Sequence, residues 1–246
     1  MNEETNQEFD LPEDAQDSIQ QQERAPVVII GGNAEARMIA EIIHFHDNIV
    51  YGYLTETSAE YKDGPQELND IPVMGSLEMQ PFQKMLKHEQ IYYTITAVTG
   101  KERERILAKV FLFANRLPLT AVHPHASLSP YSDLAAGTIL FAGAVVSVNV
   151  TMEACNFVYP RAVIEADCKI GSFCNIGTGA IIGKGASIGN FVVIGPNAVI
   201  APGITIGHET IIPAVKIVTE SIGSLDSETD PETGWNPDDL EIGEED

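Results

Sequence analysis

The chain has 246 residues, 44% of them hydrophobic, which is enough apolar material for one or two domains. Its formal net charge is −22, from 36 acidic and 14 basic residues. Because it has no basic stripe and no apolar run near the ~20 residues that span a bilayer, the sequence argues against nucleic-acid partners and membrane insertion.

The negative charge is concentrated at the two ends of the chain. Residues 1–25 carry a net charge of −7 and residues 226–246 one of −10, whereas residues 26–225 carry only −5. Such charged segments, poor in apolar residues, are typical of disorder, so we expect disordered acidic tails at 1–25 and 221–246. They act as solubilising tails or, as Trp235 hints, as a docking segment.

The N-terminus has no basic segment followed by an apolar stretch, as a secretory signal would have. The three cysteines, Cys155, Cys168 and Cys174, are an odd number, and two of them fall at interior positions of the repeat described below. We therefore expect buried free thiols rather than disulfides or a metal site, and a cytoplasmic protein without a metal.

Residues 26–121 have the pattern of a small α/β domain. Short apolar runs typical of strands alternate with stretches of helical spacing. Strands are predicted at 27–30, 49–54, 72–75 and 91–98, and helices at 34–45 and 101–115. This order indicates a parallel sheet with right-handed crossovers.

A glycine turn, Gly31-Gly32-Asn33, joins the first predicted strand to the first predicted helix. Such a turn offers backbone N–H groups and the positive end of a helix dipole to a phosphate. Glu35 adds a negative charge that would repel a pyrophosphate, and Arg37 could offset it. Because the third glycine of a dinucleotide fingerprint is missing, the turn is either a nucleotide site or simply a tight turn.

In the C-terminal half, every sixth residue is aliphatic and the register never slips. A helix repeats near 3.6 residues and a strand at 2, so a period of six indicates a three-sided parallel β-helix built from hexapeptides. One coil takes about 18 residues, and the aliphatic side chains point inward. This aliphatic ladder is Val122, Leu128, Leu134, Leu140, Val146, Met152, Val158, Ile164, Ile170, Ile176, Ile182, Ile188, Ile194, Ile200, Ile206, Ile212 and Val218.

Two other positions of the hexapeptide support a β-helix. The residue two places before the ladder is mostly small and is expected to fill the narrow interior, as at Ala144, Ala162, Cys168, Cys174, Ala180, Ala186 and Ala198. The residue after the ladder is often glycine, which we expect to form the turns between sides, where φ is often positive. These glycines are Gly171, Gly177, Gly183, Gly189, Gly195 and Gly207.

Together the two halves resemble the NeuD/PglD-like sugar acyltransferases over residues 26 to about 220. The resemblance rests on VVIIGGNAEARMIAEII at 27–43, IPVMGS at 71–76, VTG at 98–100, VHPHASLSP at 122–130 and the ladder. It implies a Rossmann-like sugar-nucleotide-binding domain at 26–121, followed by a hexapeptide-repeat left-handed parallel β-helix at 122–220. It also implies a homotrimer that transfers an acetyl group from acetyl-CoA, bound between neighbouring β-helices, to a sugar amine or hydroxyl.

The resemblance also locates a catalytic segment, which usually reads Glu-His-Asp/Glu-Cys and here begins Glu165-Ala166-Asp167. The family histidine is the general base that takes the proton of the attacking sugar group. Ala166 cannot do this, so Glu165 and Asp167 are the remaining catalytic candidates. Asn175, where a second histidine is usual, and Lys184, one coil from Ala166, are the expected cofactor contacts.

The N-terminal motifs depart from the family as well. The usual Gly-Gly-His of the loop reads Asn-Ala-Glu at 33–35, the acidic pair after the second strand reads Thr-Glu at 55–56, and a usual asparagine is Tyr159. A Gly-x-Pro-Ala segment that often closes the CoA site is absent after Ser221. The expected substrate-binding residues are Gly31, Gly32, Asn33, Glu35, Arg37, Thr55, Glu56, Thr99 and Gly100.

The sequence thus leaves two interpretations. One is an acyl-CoA-dependent acetyltransferase of a nucleotide-linked amino sugar or a sialic-acid-type sugar, weak or inactive because its base is missing. The other is a non-catalytic trimeric protein that binds a sugar nucleotide or serves as a scaffold. Several altered positions at once favour a released catalytic constraint over a single change of substrate.

Overall fold

The computed structural model describes residues 25–223, so nearly all of both predicted acidic tails lies outside the described residues. The first part of the chain contains five strands and four helices. In chain order they are β1 Pro26–Ile30, α1 Ala34–Phe45, β2 Ile49–Thr55, α2 Ser58–Asp63, β3 Glu67–Leu68, β4 Ile71–Ser76, α3 Gln80–Leu86, β5 Tyr92–Ile95 and α4 Gly100–Ala114.

These strands form one sheet in the order β3-β4-β2-β1-β5. All neighbours are parallel except β3, which is antiparallel to β4, so the sheet is mixed rather than purely parallel. The four predicted strands and two predicted helices are present. The elements α2, α3 and β3 were not predicted, because α2 buries no residue, α3 buries only Leu86, and β3 has two residues.

Helices cover both faces of this sheet. Val27 and Ile29 of β1 pack in the core that contains α1, whereas Val28 and Ile30 pack in the core that contains α4. Because successive side chains of a strand point to opposite faces, a central strand covered on both faces is apolar at every position. The strand ends, where the chain turns into the helices, are therefore free to carry polar groups.

The rest of the described chain is a stack of two-residue strands in three parallel sheets. Each strand pairs with the strand 18 residues away, as Ile164 pairs with Ile182. Such stacks with hexapeptide repeats fit the predicted left-handed parallel β-helix. The strands begin with β6 Ala121–Val122, β7 Ser127–Leu128, β8 Asp133–Leu134, β9 Ile139–Leu140, β10 Val145–Val146, β11 Thr151–Met152, β12 Phe157–Val158, β13 Val163–Ile164 and β14 Lys169–Ile170.

The stack continues to residue 218 in the same rhythm. Its remaining strands are β15 Asn175–Ile176, β16 Ile181–Ile182, β17 Ser187–Ile188, β18 Val193–Ile194, β19 Val199–Ile200, β20 Thr205–Ile206, β21 Ile211–Ile212 and β22 Ile217–Val218. From Leu140 onward the ladder is buried. In the first coil Leu128 is 38% exposed, because no earlier coil covers it, which limits the prediction of an inward-pointing ladder to the later coils.

The three cysteines are free and buried, as predicted. Burial raises the pKa of the Cys155 and Cys174 thiols to about 12. A thiol reacts as its thiolate, so these two are inert at neutral pH.

The prediction for the glycines after the ladder is wrong. The left-handed corner lies three residues after the ladder, at glycines such as Gly185 (φ +70°) and at ordinary residues such as Asp167 (φ +64°). The glycines directly after the ladder do not have this φ; they are small because the next coil touches them. A Cβ on Gly183 would lie 2.6 Å from the backbone N of Pro202, and one on Gly195 would lie 2.4 Å from that of Ala214.

Candidate functional site

The segment Glu165-Ala166-Asp167 forms a corner of the β-helix between β13 and β14. Glu165 and Asp167 are exposed and Ala166 is half-buried. The methyl group of Ala166 cannot take a proton. Any acid–base chemistry at this corner therefore falls to the two carboxylates and to what lies beside them.

Both carboxylates are bonded to neighbouring coils. Glu165 Oε2 accepts a hydrogen bond from the backbone N of Lys184 at 2.7 Å. Asp167 Oδ1 accepts one from Asn149 Nδ2 at 3.2 Å, and its Oδ2 lies 3.5 Å from Lys184 Nζ. Lys184 is thus beside Ala166, where 18-residue stacking puts it. These bonds tie each carboxylate to a neighbouring coil.

A cavity of about 240 Å³ lies in the N-terminal part of the chain, where β1, β2 and β5 end. The carboxyl ends of parallel strands are the usual ligand position in open α/β sheets. Four predicted substrate residues, Gly31, Gly32, Asn33 and Glu56, line this cavity together with residues 96–98. We call it the strand-end pocket.

The glycine turn of the strand-end pocket is tightly packed. Gly31 has a φ of +123°, and a Cβ there would lie 2.1 Å from Thr96 Oγ1, so a side chain is excluded. Asn33 caps α1 by accepting from the backbone N of Ala36 at 2.9 Å, and its amide donates to Thr96 O. The Asn33 side chain therefore fixes the turn against the end of β5.

Carboxylates outnumber cations in the strand-end pocket, which is lined by Glu56, Glu60, Glu102 and Arg105. Arg105 Nη2 donates to Glu56 Oε2 at 2.7 Å, and Lys109 also pairs with Glu56. Burial raises the pKa of Glu56, but the hydrogen bonds from Arg105 and Lys109 outweigh it, so this pKa lies below its ordinary value. The two cations are thus already engaged.

Three other predicted substrate residues, Glu35, Arg37 and Thr55, lie away from this lining. Glu35, in the first turn of α1, accepts a hydrogen bond at its Oε1 from Tyr159 OH of the β-helix at 3.1 Å. Arg37 is exposed and lines a separate groove on the outer side of α1. The hydroxyl of Thr55 hydrogen-bonds to the carbonyls of Thr57 and Gly75, so this side chain is used within the protein.

Thr99 and Gly100 form the start of α4. Thr99 caps the helix in a capping box with Glu102. A Cβ on Gly100 would lie 2.2 Å from Phe173 O, so Gly100 allows α4 to touch the β-helix. Both residues follow Val98 of the strand-end pocket but are not among its lining.

Asn175, expected at the cofactor, is buried between the two parts of the chain. Its Nδ2 donates to Val98 O at 2.8 Å, and its Oδ1 accepts from Arg103 Nη2 at 2.8 Å. Both ends of the amide are therefore used inside the protein. Contact with a cofactor remains a prediction for Asn175, as it does for Lys184.

Arg103 is the residue that sequence reasoning missed. It is 1% exposed, and its guanidinium lies 4.1 Å from the Phe157 ring centroid. It donates to the carbonyls of Ala97, Val98, Cys155, Phe173 and Cys174, as well as to Asn175. Burial lowers its pKa, and these acceptors compensate the buried charge. The one signal was an arginine on the inward face of a predicted amphipathic helix.

Two other features of the described residues bear on the class of site. None of the helices between residues 25 and 223 is long and apolar enough to cross a bilayer. Over the same range, no group of three or more His, Cys, Asp or Glu side chains could hold a metal ion.

Comparison with known proteins gives a repeat family and a set of similar folds. Residues 161–196 match the model of the bacterial transferase hexapeptide (six repeats). The sequence matches none of the curated proteins. Among solved structures, a histidine-to-alanine mutant of GDP-perosamine N-acetyltransferase from Caulobacter crescentus, in complex with CoA and GDP-perosamine, is 25% identical with a TM-score of 0.72. The match covers 80% of this chain and 90% of that one.

A second similar structure is the acetyltransferase domain of PglB from Neisseria gonorrhoeae in complex with acetyl coenzyme A. It is 22% identical with a TM-score of 0.56, and the match covers 77% of this chain and 93% of that one. The repeat match falls on the coils that carry Glu165, Ala166 and Asp167. The chain thus carries bacterial transferase hexapeptide repeats and is similar in fold to sugar N-acetyltransferases, which agrees with the predicted resemblance to the NeuD/PglD-like proteins.

Proposed function

We propose that the chain is an acyl-CoA-dependent sugar acetyltransferase-family protein whose acetyl transfer is weak or absent. The observation that carries this is the corner at Ala166, where a methyl group stands between two carboxylates that are bonded to Lys184 and Asn149. Loss of a general base typically costs about 10²–10⁴-fold in rate, which leaves only what positioning supplies.

The N-terminal part is proposed to be a Rossmann-like domain that holds the sugar, nucleotide-linked or of the sialic-acid type, at the strand-end pocket. The position of Gly31, Gly32, Asn33 and Glu56 around one cavity supports this. Acetyl-CoA is the proposed co-substrate, with Lys184 beside the Ala166 corner as its contact. The 25% identical relative binds CoA and GDP-perosamine, which supports both halves of the assignment.

We further propose a homotrimer. One outer face of the β-helix carries a column of β-branched residues, and Ile181 and Ile217 in it are 38% and 65% exposed. Closed rotational symmetry would bury such a face. This apolar stripe consists of Val145, Val163, Ile181, Val199 and Ile217.

The test is calorimetry of the full chain with acetyl-CoA, followed by an acetyl-transfer assay with amino sugars. We expect acetyl-CoA to bind and transfer to be very slow. Fast transfer by the native chain that survives the double change Glu165→Gln and Asp167→Asn would overturn the assignment of the corner. Absence of acetyl-CoA binding would overturn the co-substrate.

The second candidate is a non-catalytic sugar-binding or scaffold protein, and one observation favours it. The relative that lacks a histidine was solved with both CoA and GDP-perosamine, so loss of a histidine is compatible with retained binding in that protein. For this candidate we expect sugar and acetyl-CoA to bind without any transfer, even after a histidine is introduced at position 166.

A further inference from the structure

The outward-facing residues of the β-helix differ in chemistry between two of its sides. The first residue of each two-residue strand faces outward, opposite to the ladder residue that follows it. On one side these residues are polar: Asp133, Thr151, Lys169, Ser187 and Thr205. On another side the N-terminal part of the chain covers and buries them: Ala121, Ile139, Phe157 and Asn175. Apolar outward residues on these two sides therefore lie where another part of the chain covers them.

The last coil departs from this rule. Ile211 ends the covered side but is 71% exposed, and Val215 at the next corner is 73% exposed. Val215 also has a φ of +61°, which is unusual for a β-branched residue, whereas the preceding coil has Asn197 at this corner with a φ of +55°. Two apolar side chains thus face solvent where the fold favours polar ones. We call Ile211 and Val215 the end patch.

The same end of the stack presents backbone donors. In earlier coils the N–H groups of the strands donate to carbonyls of the next coil, as Val193 N does to Thr210 O at 3.0 Å. Ile211 N is the equivalent donor of the last coil, and β21 is the final strand of its sheet within residues 25–223. An open strand edge of this kind accepts further chain, and the terminal coil of a solenoid requires a cap.

The chain itself begins such a cap. Ile222 pairs with Ile206 of β20: its N donates to Thr205 O at 3.0 Å, and its O accepts from Gly207 N at 2.7 Å. In coil order, the side that follows β20 is the side of β21. The chain that continues from Gly223 is therefore directed toward the end patch.

The composition of residues 224–246 fits this surface. Twelve residues, the length of two sides of a coil, lead from Gly223 to Trp235, and tryptophan is among the residues most enriched at the centres of contacts. The many carboxylates around Trp235 suit the open N–H donors and Lys216, which is exposed beside Val215 and makes no ion pair within the described residues. A second copy would bring the same acidic segment to the same end, and like charges disfavour that contact.

We propose that the end patch is the docking surface for residues 224–246 of the same chain, with Trp235 packed against Ile211 and Val215. The docked segment covers the apolar side chains of the last coil and supplies acceptors to its backbone donors. The end patch is separate from the Ala166 corner and from the strand-end pocket, so this inference does not rest on the proposed function.

The test uses the fluorescence of the full-length protein, because Trp235 is its single tryptophan. We expect the native chain to emit at a shorter wavelength than the same chain in urea. Ile211→Asn and Val215→Asn should each shift the emission toward the urea value and increase its quenching by acrylamide. Val215→Asn keeps the fold, because asparagine suits a left-handed corner, and circular dichroism verifies this.

The control is Leu112→Asn, which removes a 62% exposed apolar side chain from α4 and should keep the native emission. Three results would overturn the inference: native emission equal to that in urea, emission unchanged in both end-patch variants, and an equal shift in Leu112→Asn. Light scattering supplies a fourth. A native assembly whose mass is halved by Val215→Asn would assign the end patch to a second copy instead.

Discussion

Arg103 of α4 and Asn175 of the β-helix hydrogen-bond across the junction of the two parts of the chain, with Nη2 and Oδ1 2.8 Å apart. The same guanidinium bonds the carbonyl of Ala97 in the strand-end pocket and the carbonyl of Phe173 in the β-helix. One buried side chain therefore fixes residues 96–98 of the strand-end pocket onto the coils of the β-helix.

Replacing Arg103 should destabilise the whole described unit. Arg103→Ala removes the hydrogen bonds that a buried guanidinium makes to five backbone carbonyls and to Asn175, and hydrogen bonds of a charged group contribute about 1.5–3 kcal/mol each, so we expect a loss of more than ~3 kcal/mol in the free energy of unfolding. Urea denaturation followed by circular dichroism measures it. The control is Lys101→Ala on the same helix, whose exposed ion pair with Glu209 should contribute less than ~1 kcal/mol. Equal losses for the two variants would contradict the role given to Arg103.

The β-helix could be predicted because its signal is local: one aliphatic residue every six, over a long stretch of chain. The role of Arg103 could not, because its acceptors Cys155 and Phe173 lie 52 and 70 residues away and are backbone carbonyls, which any residue type carries. For the same reason, the positions of the Glu35 and Arg37 side chains could not be predicted from the sequence. The sequence put both near a phosphate, whereas the fold turns Glu35 to Tyr159 and Arg37 to the outer groove.

The two kinds of glycine in the coils should respond differently to alanine. In Gly183→Ala the new Cβ meets backbone atoms of Ile200 and Pro202 within 2.7 Å, and neither coil can easily move its backbone to make room. We expect a loss of about 2–3 kcal/mol. In Gly185→Ala the Cβ meets nothing within 4 Å and only the φ of +70° is strained, at a cost of about 1–2 kcal/mol. Chemical denaturation of both variants measures these losses in the free energy of unfolding. A larger loss for Gly185→Ala would refute the assignment of the left-handed corner to the position three residues after the ladder.

Neighbouring residues of one strand should separate folding from assembly. Ile182→Asp buries an unpaired charge in the ladder and should cost more than ~4 kcal/mol, which unfolds the chain. Ile181→Asp changes the apolar stripe on the outer face instead. There we expect a folded protein of about one third the native mass by light scattering, with an unchanged circular dichroism spectrum. A native chain that is monomeric at micromolar concentration would refute the trimer.

Mild acid should weaken the packing of α1 against the first coil of the β-helix. Burial first, and then His125 and His46, lower the pKa of His123, while Glu41 opposes them. The folded state thus binds this proton less readily than the unfolded chain. The contribution of His123 to the free energy of unfolding is complete above the unfolded pKa of about 6.5, and it is lost as the pH falls through and below that value.

The variant His123→Phe cannot titrate and keeps a ring beside Phe45, whose centroid lies 5.1 Å from that of His123. We expect it to lose less stability than native between about pH 7.5 and 5.5, although it starts lower because it cannot accept from the backbone N of His125. Thermal unfolding across this range measures the slope. His88→Gln, at an exposed position, is the control and should match the native slope.

Restoring the missing base decides between a weak enzyme and a binding protein. Ala166→His places an imidazole between Glu165 and Asp167, and either carboxylate could orient the ring and stabilise the imidazolium. The control Val148→His adds the same group one coil away, at a position that is 39% exposed.

If the native chain binds acetyl-CoA and an amino sugar, we expect Ala166→His to raise acetyl transfer by about 10²–10⁴-fold and Val148→His to leave it unchanged. The increase should follow a single ionisation near neutral pH, since an imidazole must be neutral to act as a base. A gain of the same size from Val148→His would mean that the base need not stand at position 166. Retained binding of both ligands without any gain would favour the non-catalytic binding protein.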